Sequence, residues 1–316
     1  MSDFQETFGE SAIDFGRVAS NIGDSDISFG SRTLNRIVTG YTNVGVVQRR
    51  IYELYGPEGS GKTTIALSAI ASAQRKGGKV LLVDAEHALD PEYAAQIGVK
   101  VEELDVGEPD CGEQGLEMAE WGVSNGLSLV VIDSVAALSP RTELEGELGD
   151  SNMGLHARLM GQGLRRLTAM MRRNTPSAVI FINQIRFKLG VLFGNPETRP
   201  GGQALRFFAS VIIDLRDPRG QKREESKVEV GKVINAKVVK NKIFSPYKRC
   251  KIPLTYGKGI DRLLDLAQVL KEMDLAEVTK KTIKIEGMKQ MNLSTFRERL
   301  GNNLFFREIK EMIGEA

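Results

Sequence analysis

The sequence predicts an α/β fold with a largely parallel central sheet. Three unbroken apolar runs indicate strands buried on both faces: Val80-Leu81-Leu82-Val83, Leu129-Val130-Val131-Ile132 and Val179-Ile180-Phe181-Ile182. Helical segments separate these runs, as the crossovers between parallel strands require. A glycine-rich stretch at residues 56–63 joins a predicted strand to a predicted helix, which is a further sign of this fold class.

Composition is that of a soluble globular protein. The chain has 316 residues, 41% hydrophobic and 27% charged, with a net charge of +2. No apolar run approaches the roughly 18 residues of a membrane span, and the acidic N-terminus lacks an apolar signal core. We therefore expect a cytoplasmic protein without membrane contact. Cys111 and Cys250 lie far apart, which favours two reduced structural thiols.

Three segments follow from the change of pattern along the chain. Residues 1–28 are turn-rich and are either a disordered tail or an arm that docks on a neighbouring subunit; we assign an oligomerisation arm. Residues 29–257 alternate strands and helices, and the last strands lack long helices between them, which predicts an antiparallel extension. Residues 258–316 read as a small α/β or mostly helical appendage; we assign a small α/β domain. The predicted strands are 46–55, 79–84, 128–133, 178–183, 210–215, 233–239 and 250–256, with a further one at 282–285 in the small domain.

Helices are also predicted in the small domain. Apolar spacing predicts a helix at 260–273, and Ser294 is the expected N-cap of a helix at 295–300. The chain should then form a last helix at 304–313.

The stretch Gly56-Pro57-Glu58-Gly59-Ser60-Gly61-Lys62-Thr63 has the G-x-x-x-x-G-K-T pattern of a nucleoside triphosphatase phosphate loop. Its amide hydrogens and the following helix N-terminus suit phosphate. Lys62 is expected at the β- and γ-phosphates and Thr63 at Mg²⁺. The alternative is an ordinary glycine-rich turn, which the complete pattern in a strand–loop–helix context disfavours.

Polar side chains follow the predicted buried strands, where ligands of open α/β sheets bind. Glu86 is either a base that activates water or an acid at a helix entry. Tyr93 either stacks on a base or packs on the next helix. Asp133 ends an apolar strand, as a Walker-B acid does, and indicates Mg²⁺ binding. Gln184 is placed to sense a γ-phosphate.

Two further segments suggest nucleic-acid contact. The loop at 187–202 mixes glycines, apolar residues and cations, a composition that suits single-stranded nucleic acid. Arg158, Arg165 and Arg172 share one face of a predicted helix, although a solvated basic face is the simpler explanation. Residues 216–251 carry twelve Lys or Arg against four Asp or Glu, and would bind nucleic acid or the phosphates on an adjacent subunit.

Several strings together resemble the bacterial RecA recombinases, in order and over about residues 51–260. These strings are G-P-E-G-S-G-K-T-T, D-A-E-H-A-L-D-P-E-Y, V-I-D-S-V-A-A-L, G-E-L-G-D-S-N-M-G-L, F-I-N-Q-I-R, G-N-P-E-T and K-V-V-K-N-K. The resemblance implies a RecA-like phosphate-loop ATPase core. It also implies a helical filament on single-stranded DNA that pairs it with a homologous duplex and exchanges strands.

The same resemblance implies residue roles. Glu86 would be the catalytic base, assisted by Lys62 and Gln184, with Thr63 and Asp133 at Mg²⁺. The ATP contacts would be Gly56, Pro57, Glu58, Gly59, Ser60, Gly61, Lys62, Thr63, Thr64, Asp90, Tyr93, Lys240, Lys242, Tyr256 and Gly257. Among these, Lys240 and Lys242 would reach a neighbour's ATP, and Tyr256 and Gly257 would cover a neighbour's adenine. The DNA contacts would be Ser151, Met153, Arg158, Arg165, Arg186, Leu189, Phe193, Gly201 and Gly202.

The chain departs from the family pattern at both ends, and it ends without a run of acidic residues. This divergence is compatible with a plasmid- or virus-encoded relative. Asn152 and His156 are further departures, at or beside the first DNA loop. Two other functions share the predicted features: a ring-forming helicase or translocase, and a regulator that binds ATP and DNA with little turnover. Intact Lys62, Glu86 and Asp133 argue against the regulator.

Overall fold

The computed structural model describes residues 26–147, 154–171, 176–187, 194, 196–218, 222–225, 228–279 and 281–315. The strands in chain order are β1 (Ile51–Gly56), β2 (Val80–Asp84), β3 (Asp105–Gly107), β4 (Leu129–Asp133), β5 (Ala178–Gln184), β6 (Arg186–Phe187), β7 (Glu197–Thr198), β8 (Val211–Arg216), β9 (Lys222–Glu225), β10 (Val228–Asn241), β11 (Arg249–Thr255), β12 (Gly259–Ile260), β13 (Ala276–Val278), β14 (Thr282–Ile285) and β15 (Met291–Asn292).

The helices are α1 (Arg32–Thr39), α2 (Lys62–Arg75), α3 (Pro91–Ile97), α4 (Gly112–Ser124), α5 (Arg141–Glu145), α6 (Leu155–Met171), α7 (Ala204–Phe208), α8 (Arg262–Glu272), α9 (Leu293–Leu300) and α10 (Asn303–Met312). Single 3₁₀ turns lie at Val101–Glu103 and Val135–Ala137. Every described helix is too short or too polar to span a membrane.

Ten strands form one sheet in the order β12-β11-β10-β8-β1-β5-β4-β2-β3, with β9 paired to β10. The run from β8 to β3 is parallel throughout, which confirms the predicted parallel core. Strands β10, β11 and β12 add to it in antiparallel fashion, as predicted. The carboxyl ends of β1, β2, β4 and β5 therefore meet at one edge of the sheet.

Alternate residues of the inner strands enter two hydrophobic clusters on opposite faces of the sheet. Leu82 belongs to one cluster and Leu81 to the other, because successive side chains point to opposite faces. Both faces are covered by helices, so the inner strands are mostly apolar along their length, with Glu53 of β1 as a buried exception. This packing explains the unbroken apolar runs in the sequence.

A third hydrophobic cluster lies in the last part of the chain and includes Leu270, Ile283 and Phe296. Strands β13, β14 and β15 form its small antiparallel sheet. Asp265 of α8 is fully buried and accepts hydrogen bonds at 2.6 Å from Ser31 Oγ and at 2.7 Å from Thr33 Oγ1. Burial raises the pKa of Asp265. The division of the chain at residue 257 stays a prediction.

Some boundaries differ from the prediction. The first strand begins at Ile51 rather than at residue 46, because Val46 forms an isolated bridge with Ile27 and Arg49 has a positive φ of 58°. Strand β3 was not predicted, because it is short and largely exposed. Helix α9 begins at Leu293 with Asn292 as its N-cap, so Ser294 lies inside the helix. Residues 1–25 of the predicted arm lie outside the described residues.

Candidate nucleotide and nucleic-acid site

The glycine-rich loop joins β1 to α2, as the sequence predicts. A Cβ atom on Gly56 would lie 2.1 Å from the Leu215 carbonyl oxygen, so only glycine fits there. Gly61 is the N-cap of α2 with a φ of 82°, a left-handed conformation that favours glycine. The start of α2 consequently points its free amide hydrogens toward the loop, which is an arrangement that binds phosphate.

Lys62 folds back over this loop. Its Nζ donates to the carbonyl oxygens of Pro57 at 2.7 Å and Gly56 at 3.1 Å. Burial lowers the pKa of Lys62, while the nearby carboxylates of Asp133 and Glu86 raise it. The ammonium group therefore stands between the loop and an acidic cluster, where it can meet an anionic ligand.

Thr63 and Asp133 are brought together from α2 and the end of β4. Thr63 Oγ1 donates to Asp133 Oδ2 at 2.8 Å. Burial raises the pKa of Asp133 to about 6, although the hydrogen bond from Thr63 lowers it. A hydroxyl and a carboxylate both supply hard oxygen ligands. This pair therefore fits a magnesium ion that is also bound by the phosphates of a nucleotide.

Glu86 follows β2 and lies beside the ends of β4 and β5. Its Oε1 accepts from Gln184 Nε2 at 2.7 Å and also from Ser134 Oγ. Asp84 holds the turn that carries Glu86, because its carboxylate accepts from the backbone amide of Leu89 at 3.0 Å. The structure thus places Glu86 in direct contact with Gln184. Ser134 was not predicted, and the only signal for it is its position next to Asp133.

Asp90 and Tyr93 lie at the start of α3. Asp90 caps this helix by accepting from the amides of Glu92 at 2.9 Å and Tyr93 at 3.1 Å. The Tyr93 hydroxyl lies 2.8 Å from Thr64 Oγ1, so the ring is held beside α2. Thr64 and Tyr93, both predicted to contact the nucleotide, therefore touch each other directly.

Tyr256 and Gly257 also adjoin this part of the chain. A Cβ atom on Gly257 would lie 3.5 Å from the side-chain oxygen of Gln96, a residue of α3. The Tyr256 hydroxyl donates to Glu229 at 2.5 Å, a hydrogen bond that raises the pKa of Tyr256 to about 12. The turn thus lies beside α3 of its own chain, and its contact with a neighbour's adenine stays a prediction.

Lys240 lies near the end of β10, and Lys242 follows that strand directly. Lys240 is paired with Ile212 near the amino end of β8, whereas the phosphate loop follows the carboxyl end of β1. Lys240 Nζ donates to the carbonyl oxygens of Arg206 at 2.7 Å and Phe207 at 2.9 Å. Burial lowers the pKa of Lys240. The structure does not bring Lys240 to the phosphate loop of its own chain.

The described DNA candidates gather around the start of α6. Arg158 and Arg165 are exposed on this helix. A Cβ atom on Gly202 would lie 2.8 Å from the Ala157 Cβ, so the double glycine allows the chain after β7 to approach α6 closely. Arg186 is exposed on β6. Burial lowers the pKa of His156, and the charge of Arg186 adds a smaller lowering. Four predicted contacts and Arg172 lie outside the described residues: Ser151, Met153, Leu189 and Phe193.

Three residues that the sequence analysis did not single out as site residues connect β1 to the end of the 187–202 loop. Arg199 Nη1 donates to Glu53 at 2.6 Å, and Asn183 Nδ2 donates to the other oxygen of Glu53 at 3.1 Å. Glu53 was visible in the sequence only as an acid inside an apolar strand.

Comparison with known proteins shows the family of this chain. A model described as the RecA N-terminal domain matches residues 1–261. Protein RecA of Deinococcus radiodurans is 47% identical over 277 residues, which are 87% of this chain and 75% of that protein. Protein RecA of Macrococcus caseolyticus is 48% identical over 271 residues, or 83% and 73% of the two chains.

A solved structure, described as a RadB recombinase, has a TM-score of 0.55 and 23% sequence identity to this chain. It covers 74% of this chain and 98% of its own length, and it supports the fold alone. Since the domain model spans residues 1–261 and two RecA proteins share nearly half of the aligned residues, this chain belongs to the RecA family.

Proposed function

We propose that this protein is an ATP-dependent DNA recombinase. It forms a helical filament on single-stranded DNA, pairs that strand with a homologous duplex and exchanges strands, with DNA-stimulated ATP hydrolysis. The contact between Gln184 and Glu86 carries the proposal. It joins the acid of the nucleotide site to the last residue of β5, two residues before the β6–β7 hairpin.

The nucleotide is bound at the carboxyl ends of the parallel strands. Loop amides and Lys62 hold the phosphates, and Asp90 and Tyr93 lie at the base. Thr63 and Asp133 hold Mg²⁺, which when bound neutralises charge on the phosphates. The 2.8 Å contact between these two side chains supports this role.

Glu86 orients and deprotonates the attacking water, and Lys62 stabilises charge that develops on the transferred phosphoryl group. Ser134 and Gln184 fix the Glu86 carboxylate from two sides. Gln184 exchanges this contact for the γ-phosphate when ATP is bound. ATP therefore favours the conformation that holds DNA, and hydrolysis releases it.

ATP lies between adjacent subunits of the filament. Lys240 and Lys242 of one subunit approach the phosphates held by its neighbour. The register of β10 supports this assignment, because it keeps Lys240 away from the phosphate loop of its own chain. Contact with a neighbour then makes each site depend on assembly.

DNA is held through its backbone by Arg158, Arg165, Arg186, Gly201 and Gly202. Sequence is compared by base pairing between the strands, so the protein needs no base-edge contacts. The proximity of Gly202 to Ala157 supports one continuous binding surface from the two DNA-binding segments.

One experiment tests the proposal. ATP hydrolysis is measured with and without single-stranded DNA, and the same mixtures are examined by electron microscopy. We expect DNA to stimulate hydrolysis and to carry helical filaments. Strand exchange with a slowly hydrolysed ATP analogue should also proceed. DNA-stimulated ATP hydrolysis by rings that unwind duplexes would instead establish a helicase. Binding of ATP and DNA with little hydrolysis would establish a regulator.

A further inference from the structure

The hairpin of β6 and β7 is tied to the sheet on its returning side by two arginines. Arg216 donates to both carboxylate oxygens of Glu197 at 2.7 Å, and its Nε donates to Asp214 at 2.6 Å. Arg199, the residue after β7, donates to Glu53 at 2.6 Å. Arginine–carboxylate pairs with bidentate geometry are strongly directional, so they fix orientation as well as distance.

Glu53 is the less expected partner, because it lies inside the sheet. Its exposed fraction is 1%, and it lies on β1 three residues before Gly56. Burial raises the pKa of Glu53, whereas the charge of Arg199 lowers it. A buried carboxylate is costly unless it is paired and hydrogen-bonded. Arg199 provides that pairing from the hairpin, and its guanidinium also stacks 4.4 Å from the centre of the Tyr55 ring.

Asn183 links the same carboxylate to the hairpin a second time. Its Nδ2 lies 3.1 Å from Glu53 Oε1 and 3.2 Å from the Pro200 carbonyl oxygen. The next residue along β5 is Gln184, whose side chain contacts Glu86. Adjacent residues of one strand therefore contact the returning end of the hairpin and the nucleotide acid.

We infer that Glu53 and Arg199 are a positioning pair. They fix the returning end of the hairpin to the strand of the phosphate loop, and so set how strongly the bound nucleotide changes DNA affinity. The inference rests on the proposed function. Neither residue needs to touch nucleotide or DNA. With the Glu53–Arg199 pair in place, the residues after β7 keep their position on β1 when Gln184 moves. Without this pair, only the Arg216–Glu197 pair and the Asn183–Pro200 contact hold that end, so it follows Gln184 more closely.

The test compares DNA affinity in two nucleotide states. Binding of fluorescein-labelled oligo-dT is measured with ADP and with ATPγS. The coupling is the dissociation constant with ADP divided by the dissociation constant with ATPγS. We expect Arg199→Ala to lower this ratio at least about fivefold, within the range of allosteric coupling. Nucleotide affinity without DNA should stay unchanged, because Arg199 contacts neither the phosphate loop nor Tyr93 in the structure.

Arg32→Ala is a matched control. Its side chain is 20% exposed against 21% for Arg199, and it pairs at 2.8 Å with Glu315, near the end of the chain. It removes a comparable ion pair and should leave the coupling unchanged. A loss of coupling in both variants would indicate general destabilisation and would overturn the positioning role.

Arg199→Ala leaves Glu53 buried without its cation, which can prevent folding. The double variant Glu53→Gln with Arg199→Gln avoids this, because two neutral amides replace the charge pair. We expect the same loss of coupling in this variant. Coupling within about twofold of wild type in the double variant would overturn the inference. If the wild-type protein binds no DNA in either nucleotide state, the proposed function fails, and the positioning role fails with it.

Discussion

The polar side chains in two regions of the central sheet have different hydrogen-bond partners. At the carboxyl ends of β1, β2, β4 and β5, the polar groups bond to one another: Thr63 to Asp133 at 2.8 Å, and Gln184 to Glu86 at 2.7 Å. On β10, Lys240 bonds to two backbone carbonyl oxygens at the end of α7. Within the described parts of the chain, Lys240 has no carboxylate within ion-pair distance.

The difference indicates which groups each region has on its own chain. The phosphate-loop region has the proposed base, the proposed metal ligands and the phosphate loop on one chain. The Lys240 region has a cation that carbonyl dipoles hold only in part, since each carbonyl carries a partial charge. An anion from outside the chain would therefore be a better partner. In the proposed arrangement ATP lies between subunits. Its phosphates then supply the anion for Lys240, and Lys240 supplies a further cation for the phosphates.

Removing Lys62 is the most severe way to break this comparison. Lys62→Ala should reduce ATP hydrolysis about a hundredfold or more, because the cation that stabilises the transferred phosphoryl group is lost. Steady-state phosphate release measures the effect. Lys100→Ala is the control, since Lys100 is exposed and pairs with Glu103 at 2.9 Å. Turnover near wild type in Lys62→Ala would remove the phosphate-loop assignment.

Glu86→Gln tests the base on the same edge. Hydrolysis should fall by about 10² to 10⁴, since general-base catalysis contributes that much. ATP should still bind. The DNA complex should persist, because without hydrolysis the protein stays in the ATP-bound conformation that holds DNA. Single-turnover hydrolysis and oligonucleotide dissociation measure both effects, with Glu103→Gln as control. Rapid DNA release from Glu86→Gln with ATP would contradict the role of this residue.

The combined change of Lys240→Ala with Lys242→Ala tests the second region. ATPase of the DNA-bound assembly should fall about tenfold or more, while nucleotide affinity of the isolated monomer is unchanged. Lys251→Ala, an exposed change on β11, should have no effect on ATPase.

A mixing experiment sharpens that result. Subunits with Lys62→Ala keep the cations, and subunits with both lysine changes keep the phosphate loop. Some interfaces in a mixture then contain both intact regions, so the mixture should hydrolyse more ATP than either variant alone. Activities that merely add would place Lys240 and Lys242 outside the neighbour's site.

The α6 arginines should have a smaller and sequence-independent effect. Arg158→Ala and Arg165→Ala should each weaken DNA binding similarly for all sequences. Each should also reduce the slope of log affinity against log salt by about one, because one phosphate contact is lost. Titrations at several salt concentrations measure this slope. An unchanged slope would mean that these side chains form a solvated face.

Asp133→Asn has the smallest expected effect. It should change the free energy of unfolding, and the sign of that change follows from the pKa of Asp133. The folded pKa of Asp133 is about 6, above its ordinary 3.8, so burial stabilises the protonated form. That stabilisation is complete below pH 3.8 and is lost as pH rises through 6. Asparagine should therefore stabilise the metal-free protein by about 1–3 kcal/mol above pH 6 and scarcely below pH 3.8. Denaturant unfolding at both pH values checks this; equal effects would contradict the burial of the charge.

Much of this architecture could be predicted because its signals are local. The apolar runs of β2, β4 and β5 show their burial, and residues 56–63 carry a complete motif. The contacts of Glu53 could not be predicted. An acid inside an apolar strand predicts that some partner exists, but Arg199 lies 146 residues away and nothing local identifies it. Short exposed β3 and the cap of α9 were missed because each depends on tertiary contacts rather than on pattern.

Asp265 has a consequence for where the protein can be cut. It serves as the hydrogen-bond acceptor for Ser31 Oγ, Thr33 Oγ1 and the Arg32 amide, although it lies beyond residue 261. A fragment ending there would keep the whole central sheet but leave these donors at the start of α1 without their acceptor. Exchanging the residues after 261 between relatives would carry the same risk, unless position 265 keeps a carboxylate.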